Sequence, residues 1–119
     1  MKNKTFGMMM EERTKQFAVE IIKISSLLSK TEHERIIRNQ ILRSGTSIGA
    51  NYREANFSRS KADFKSKLGI CQGEANETLY WLELIMEFKG KNNKIRSLHS
   101  EGKELLAIFT SIINKLNTK

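Results

Sequence analysis

Four stretches of this chain repeat apolar residues every three to four positions, and no proline stands anywhere in its 119 residues. Proline inside a helix removes a hydrogen bond and clashes with the preceding turn. Without it, each periodic stretch can run as one long helix, with its apolar residues on a single face. A β-rich chain would also call for more turn residues than 7 glycines supply. The expected class is therefore all-α.

The first helix is expected over residues 9–29, with Met10, Phe17, Ile21, Ile24 and Leu28 on one stripe. Residues 1–8, with Gly7 near the end, read as a flexible N-terminal tail, and residues 9–119 as a single domain. Thr31 and Glu34 have capping-box spacing and open a second helix over 31–56, whose stripe is Ile37, Ile41, Ser44, Ile48 and Ala55. Ser60 and Asp63 open a third over 60–89, with Gly90 at its C′ position. Its core face is Phe64, Leu68, Cys71, Ala75, Leu79, Leu82 and Met86. The fourth spans 94–116, with Asn93 as N-cap and a stripe from Ile95 and Leu98 through Leu105 and Phe109 to Ile112, Ile113 and Leu116. Short polar links between long helices make neighbours antiparallel. Four such helices close as an antiparallel up-down-up-down four-helix bundle.

The formal charge is +8, from 21 Lys and Arg against 13 Asp and Glu. An acidic block over 68–88, with Glu74, Glu77, Glu83 and Glu87 and no cation, separates two basic ones. Excess positive charge favours polyanions by steering and counterion release. No apolar run approaches the ~20 residues of a membrane span, and residues 1–10 lack the apolar core of a signal peptide. The expected compartment is the cytoplasm.

Catalytic chemistry has little to work with. His33 and His99 are the only histidines, and neither has metal-ligand or nucleophile–base spacing around it. Cys71 falls on a core stripe and reads as a small buried hydrophobe. No Glu-x-x-His pair for a di-iron site and no Gly-rich phosphate loop is present. The expectation is a non-enzymatic protein with no cofactor and no metal. Ser47, Asn51 and Glu54 lie along the border of the second helix's core stripe and are expected to form a structural polar network.

Two surfaces remain. Ile70, Trp81, Leu84 and Phe88 form a second apolar stripe on the third helix, within about 60° of one another. A lone bundle would leave this stripe in water, so it is expected to be an oligomer interface, with Glu77 on the same side to pair with a cation across it. Arg53, Arg59, Lys61 and Lys65 cluster at the junction of the second and third helices and are the candidate nucleic-acid-binding residues. The aromatic residues fall mostly on core stripes, which argues against base stacking. Gly45 and Gly49 share a face, and let another backbone approach either within the bundle or between subunits.

Three runs carry a resemblance: Ser44-Gly45-Thr46-Ser47-Ile48-Gly49-Ala50-Asn51-Tyr52-Arg53-Glu54-Ala55, Ser60-Lys61-Ala62-Asp63-Phe64, and Glu74-Ala75-Asn76-Glu77-Thr78-Leu79-Tyr80-Trp81-Leu82-Glu83-Leu84. In order and spacing they resemble the bacterial four-helix-bundle proteins named for the 23S ribosomal RNA intervening sequence. The resemblance implies a homopentameric ring of antiparallel bundles. It also implies kinship with the accessory variability determinant of diversity-generating retroelements, a basic pentamer that partners a reverse transcriptase and binds nucleic acid. The chain departs from many relatives in having no proline between the first two helices, in reading Asn51-Tyr52-Arg53-Glu54-Ala55 where they have Asn-Ile-Ala-Glu-Gly, and in carrying Gly73 within the third helix. The implied partners are the chain itself as a homo-oligomer, nucleic acid, and an RNA-processing or reverse-transcribing enzyme. The alternative is a protein-interaction scaffold that binds no nucleic acid.

Overall fold

A computed structural model describes the backbone of residues 2–118 and the side chains of residues 5–118. It has four helices: α1 (Lys2–Ser25), α2 (Glu32–Asn56), α3 (Lys61–Lys89) and α4 (Asn93–Asn117). They form a rod of 48 × 21 × 20 Å. Each helix packs on its sequence neighbours, and α1 also meets α4; the diagonal pairs stay apart. Cross-helix contacts run in opposite order along every adjacent pair. Gly7 meets Asn56 and Gly49 meets Thr14 between α1 and α2. Glu54 pairs with Lys67 and Glu34 with Lys89 between α2 and α3. Gln72 donates to Thr110 and His99 pairs with Glu83 between α3 and α4. The bundle is thus up-down-up-down.

The expected stripes form the core. Phe17, Ile21, Ile41, Ile48, Leu68, Leu82, Leu105 and Phe109 are all buried. On α3 the stripe rotates slightly: Ile85 is fully buried and Met86 only half. Tyr52 joins the core, and burial pushes its hydroxyl up to about 12. Two polar side chains meet deep inside, where the Thr78 hydroxyl donates to Ser44 Oγ at 2.9 Å.

The caps explain the helix ends. Thr31 Oγ1 accepts the Glu34 N–H at 3.2 Å, as its spacing predicts. The Glu34 carboxylate reaches back to the Lys30 N–H at 3.0 Å rather than to that of Thr31. Ser60 Oγ accepts the Asp63 N–H at 3.0 Å. The fourth helix is capped by Asn92, not Asn93, whose side chain accepts the Ile95 N–H at 2.8 Å. Gly90 takes φ +92°, a conformation open to glycine and strained for other residues.

Two boundaries differ from expectation. From Lys2 on, the expected tail is the first turns of α1, while Met1 lies outside the described residues. Gly7 read as a breaker because glycine weakens helices. Here it seats a neighbour: a Cβ on it would lie 3.1 Å from Asn56 Nδ2, which donates to the Gly7 carbonyl. At the other end α1 stops at Ser25 instead of 29. Ser25 and Ser26 turn their hydroxyls onto the carbonyls of Ile22 and Lys23, competing with the helix ladder. The chain tightens into i→i+3 bonds, yet Leu28 still reaches the core. Gly73 does not interrupt α3.

Candidate functional site

The end of the bundle where α2 passes to α3 carries a cluster of uncommitted positive charge. Residues 57–60 join the helices through back-to-back caps. Phe57 closes α2 by donating its N–H to the Glu54 carbonyl at 3.0 Å, and Ser58 N–H donates to Ala55 at 3.0 Å. Ser60 opens α3 at once. Arg53, Arg59, Lys61 and Lys65 are all exposed around this turn. Arg53 lies 3.6 Å from Glu11, a loose pair, whereas Arg59, Lys61 and Lys65 form no ion pair among the described residues. Between Arg53 and Lys67, five cations stand against two carboxylates, Glu54 and Asp63. Lys67 alone of these cations is held closely, at 2.9 Å from Glu54.

Two arginines elsewhere are engaged by the fold. Arg13 binds Glu101 and Glu104 across the α1–α4 seam. Arg43 reaches from α2 to both Glu74 and Glu77 on α3. Glu77, expected to pair with a cation across a subunit contact, has a partner within its own chain. The carboxylate also accepts the Trp81 indole N–H at 3.0 Å. The Arg43 guanidinium and then the indole hold Glu77 below the usual carboxylate range.

The outer stripe of α3 is partly covered. Trp81 and Leu84 are half-buried, with Trp81 against the core, while Ile70 and Phe88 remain 43% and 40% exposed. Phe88 meets the His33 ring edge-on at 5.4 Å. Tyr80, exposed and edge-on to Trp81 at 5.1 Å, extends the stripe and was missed because it sits off its axis. Gly69 and Gly73 stand beside it, and among the described residues a Cβ at either would meet nothing within 4 Å beyond its own stretch of helix.

Ser47, Asn51 and Glu54 do not form a buried network. Ser47 donates back to the Arg43 carbonyl at 2.6 Å, and Asn51 to the Ser47 carbonyl at 2.9 Å. Each bond stays within α2. The Glu54 side chain is 62% exposed and faces Lys67. The polar stripe lies one step around the helix from the core, so it meets solvent. The buried polar pair is Ser44 with Thr78 instead, and Ser44 was already on the core stripe. Gly45 and Gly49 turn inward to α1, where Cβ atoms would meet Ile21 at 2.9 Å and Thr14 at 3.2 Å. That assigns their close approach to the bundle itself.

Cys71 is buried, donates to the Ile48 carbonyl at 3.6 Å, and has its thiol pushed up to about 12 by burial. Among the described residues, no three His, Cys, Asp or Glu side chains gather where they could hold a metal ion. Among those residues, no helix is long and apolar enough to cross a membrane.

The model of the family described as 23S rRNA-intervening sequence protein matches residues 8–111. The chain belongs to that family. A crystal structure of a protein of unknown function, from the S23 ribosomal protein family of Bacteroides thetaiotaomicron VPI-5482, is similar to it at 41% identity, with a TM-score of 0.79. The alignment covers 87% of this chain and 96% of that one. No curated protein matches. Within the 23S rRNA-intervening sequence family match fall both the basic turn and the outer face of α3.

Proposed function

We propose that this protein is a non-enzymatic basic homo-oligomer that binds nucleic acid, as an accessory to an RNA-processing or reverse-transcribing enzyme. The observation that carries the proposal is the cluster at the α2–α3 turn. Arg59, Lys61 and Lys65 are exposed and unpaired within the chain, next to a loosely held Arg53. Cations that serve the fold are engaged elsewhere, so these remain available to phosphates. Arg43 also engages Glu74 and Glu77, which reduces the acidic block's capacity to mask basic surface on a neighbouring subunit. The solved neighbour's ribosomal protein family is in keeping with an RNA-associated role.

Self-association uses the outer face of α3, where Ile70, Tyr80, Trp81, Leu84 and Phe88 lie beside two glycines that let a second backbone approach. Five subunits is the number the family resemblance implies. A ring repeats the basic turn once per subunit, so that a polyanion gains from touching several at once.

Binding to mixed-sequence RNA is measured at ~50 mM and ~200 mM salt, with the mass in solution read alongside. Binding at ~50 mM that falls steeply with salt is expected, with Trp81→Glu weakening both assembly and binding. No detectable binding by an intact oligomer at ~50 mM salt would leave the scaffold reading instead.

A further inference from the structure

Phe57 is 80% exposed, the most exposed of the large apolar side chains among the described residues. Folding gives no reason for this. An apolar side chain left in water forgoes about 1.5–3 kcal/mol of burial. A mobile loop could fold such a ring away, but the backbone here is held at both sides. Phe57 is the C-cap of α2 at φ −96°, ψ 4°, its N–H is committed to Glu54, and the Ser60 cap follows three residues later. The backbone thus presents the ring to solvent.

Its surroundings are those of a strand-binding surface. Arg53 precedes it by four residues, one turn back on the same side of the helix. Arg59 and Lys61 follow within four residues, and Lys65 lies a turn further along α3. Phe57 helps to line a groove of about 820 Å³ between the ends of all four helices. Phe6, Met8, Phe64, Ile112 and Leu116 line it, and Phe6 is itself 41% exposed. The carboxylate in the groove, Glu11, is taken by the Asn56 amide at 2.7 Å and by Arg53.

Resting on the nucleic-acid reading, we infer that Phe57 is a stacking platform for an unpaired base, so that this end of the bundle takes single-stranded nucleic acid in preference to duplex. An unpaired strand can lay its phosphates along Arg53, Arg59, Lys61 and Lys65 and turn a base onto the ring. The apolar groove next to it receives the neighbouring base. A duplex keeps its bases stacked inside and offers the ring only sugar and phosphate. Charge selects the occupant: an apolar groove with Lys115 in its lining, beside a turn that carries the unpaired Arg59, Lys61 and Lys65, fits a ligand with apolar faces and a regular negative backbone. The ring's place one step beyond the helix, off every core stripe, is why the sequence pattern misses it.

The test compares an oligothymidylate of about 12 nucleotides with a mixed-sequence duplex of the same length, by anisotropy at low salt, on the full chain. The parent is expected to bind the single strand more tightly. Phe57→Ala is expected to weaken the single strand by about 5- to 150-fold, the range for loss of one base–aromatic stack, and to leave the duplex within about twofold. Phe57→Trp is expected to retain single-strand binding. Arg59→Ala is expected to weaken both ligands and to lower the salt slope by about one. Equal loss on both ligands, no loss on either, or a parent that does not prefer the single strand overturns the stacking role while leaving nucleic-acid binding in place. A changed mass for Phe57→Ala overturns it in favour of a contact between copies. Binding of neither ligand by the parent removes the proposed function itself.

Discussion

Helix α1 makes two seams, and they are closed by opposite means. Against α2 the closure is steric: Gly45 lies under Ile21 with no room for a methyl group, and Gly49 lies under Thr14, where one would fit only if the neighbour gave by a few tenths of an ångström. Against α4 it is ionic. Arg13 forks onto Glu101 at 2.6 and 2.8 Å and reaches Glu104 at 2.6 Å, while Lys94 lies 3.6 Å from Glu20. Close backbone approach works through dispersion and exclusion of water, which neither salt nor pH alters. An ion pair at a half-exposed seam is screened by salt and titrates. One seam therefore fixes the distance between helices, and the other adjusts to conditions.

The largest expected effect is on the steric seam. Gly45→Val should cost about 1–3 kcal/mol, toward the upper end, because the new carbon meets Cγ1 and Cγ2 of a β-branched Ile21 that cannot swing aside. Urea denaturation should give the same loss at low and high salt. An unchanged midpoint would mean that the two helices have slack.

Arg13→Met should cost less, about 1 kcal/mol, since it keeps the apolar stem and loses a forked pair at a half-exposed site. The same titration at ~1 M salt should shrink that loss toward zero. A loss that salt does not change would make Arg13 a packing residue, and the contrast between the seams would fail.

Glu20→Gln should have the smallest effect and reveals only a pH dependence. Burial works against the charge of Glu20, but Lys23, Lys94 and Gln16 outweigh it and hold its carboxyl below the ordinary range. A carboxyl lowered in the folded state stabilises above its unfolded value, and that contribution is lost as pH falls through the folded one. The parent should thus exceed Glu20→Gln in thermal stability at neutral pH, and the two should converge in acid. A gap that persists in acid would assign the effect to something other than the charge.

The two seams also differ in how much of each was legible. Gly45 and Gly49 declare a close approach by their spacing, but a repeat on one helix says nothing of what lies opposite. Both an internal and an intersubunit partner fitted. Arg13 and Glu101 are 88 residues apart, and a pair so distant leaves no local pattern. The core was far more legible: Phe17, Ile41, Leu68 and Leu105 were placed by periodicity alone, because burial on a helix is a one-dimensional signal. Caps were nearly so, with Thr31 and Ser60 as expected and Asn92 displaced by one residue from Asn93, since adjacent asparagines offer the same chemistry. At the candidate site the cations Arg53, Arg59, Lys61 and Lys65 could be named, whereas Phe57 could not. Its exposure follows from the geometry of a cap, which a hydrophobicity pattern does not encode.

The order in which helices touch has a kinetic consequence. Three of the four seams join consecutive helices through short links, so most contacts form between segments already near each other in the chain. Such contacts carry a small loop-closure cost and favour rapid folding. The α1–α4 seam alone must bring together the two ends of the chain, and an ionic contact there gains little before both helices are in place. It is expected to form after the hairpins have docked. Arg13 is then expected to act as a latch on the finished bundle, governing how often its ends part rather than how fast they meet.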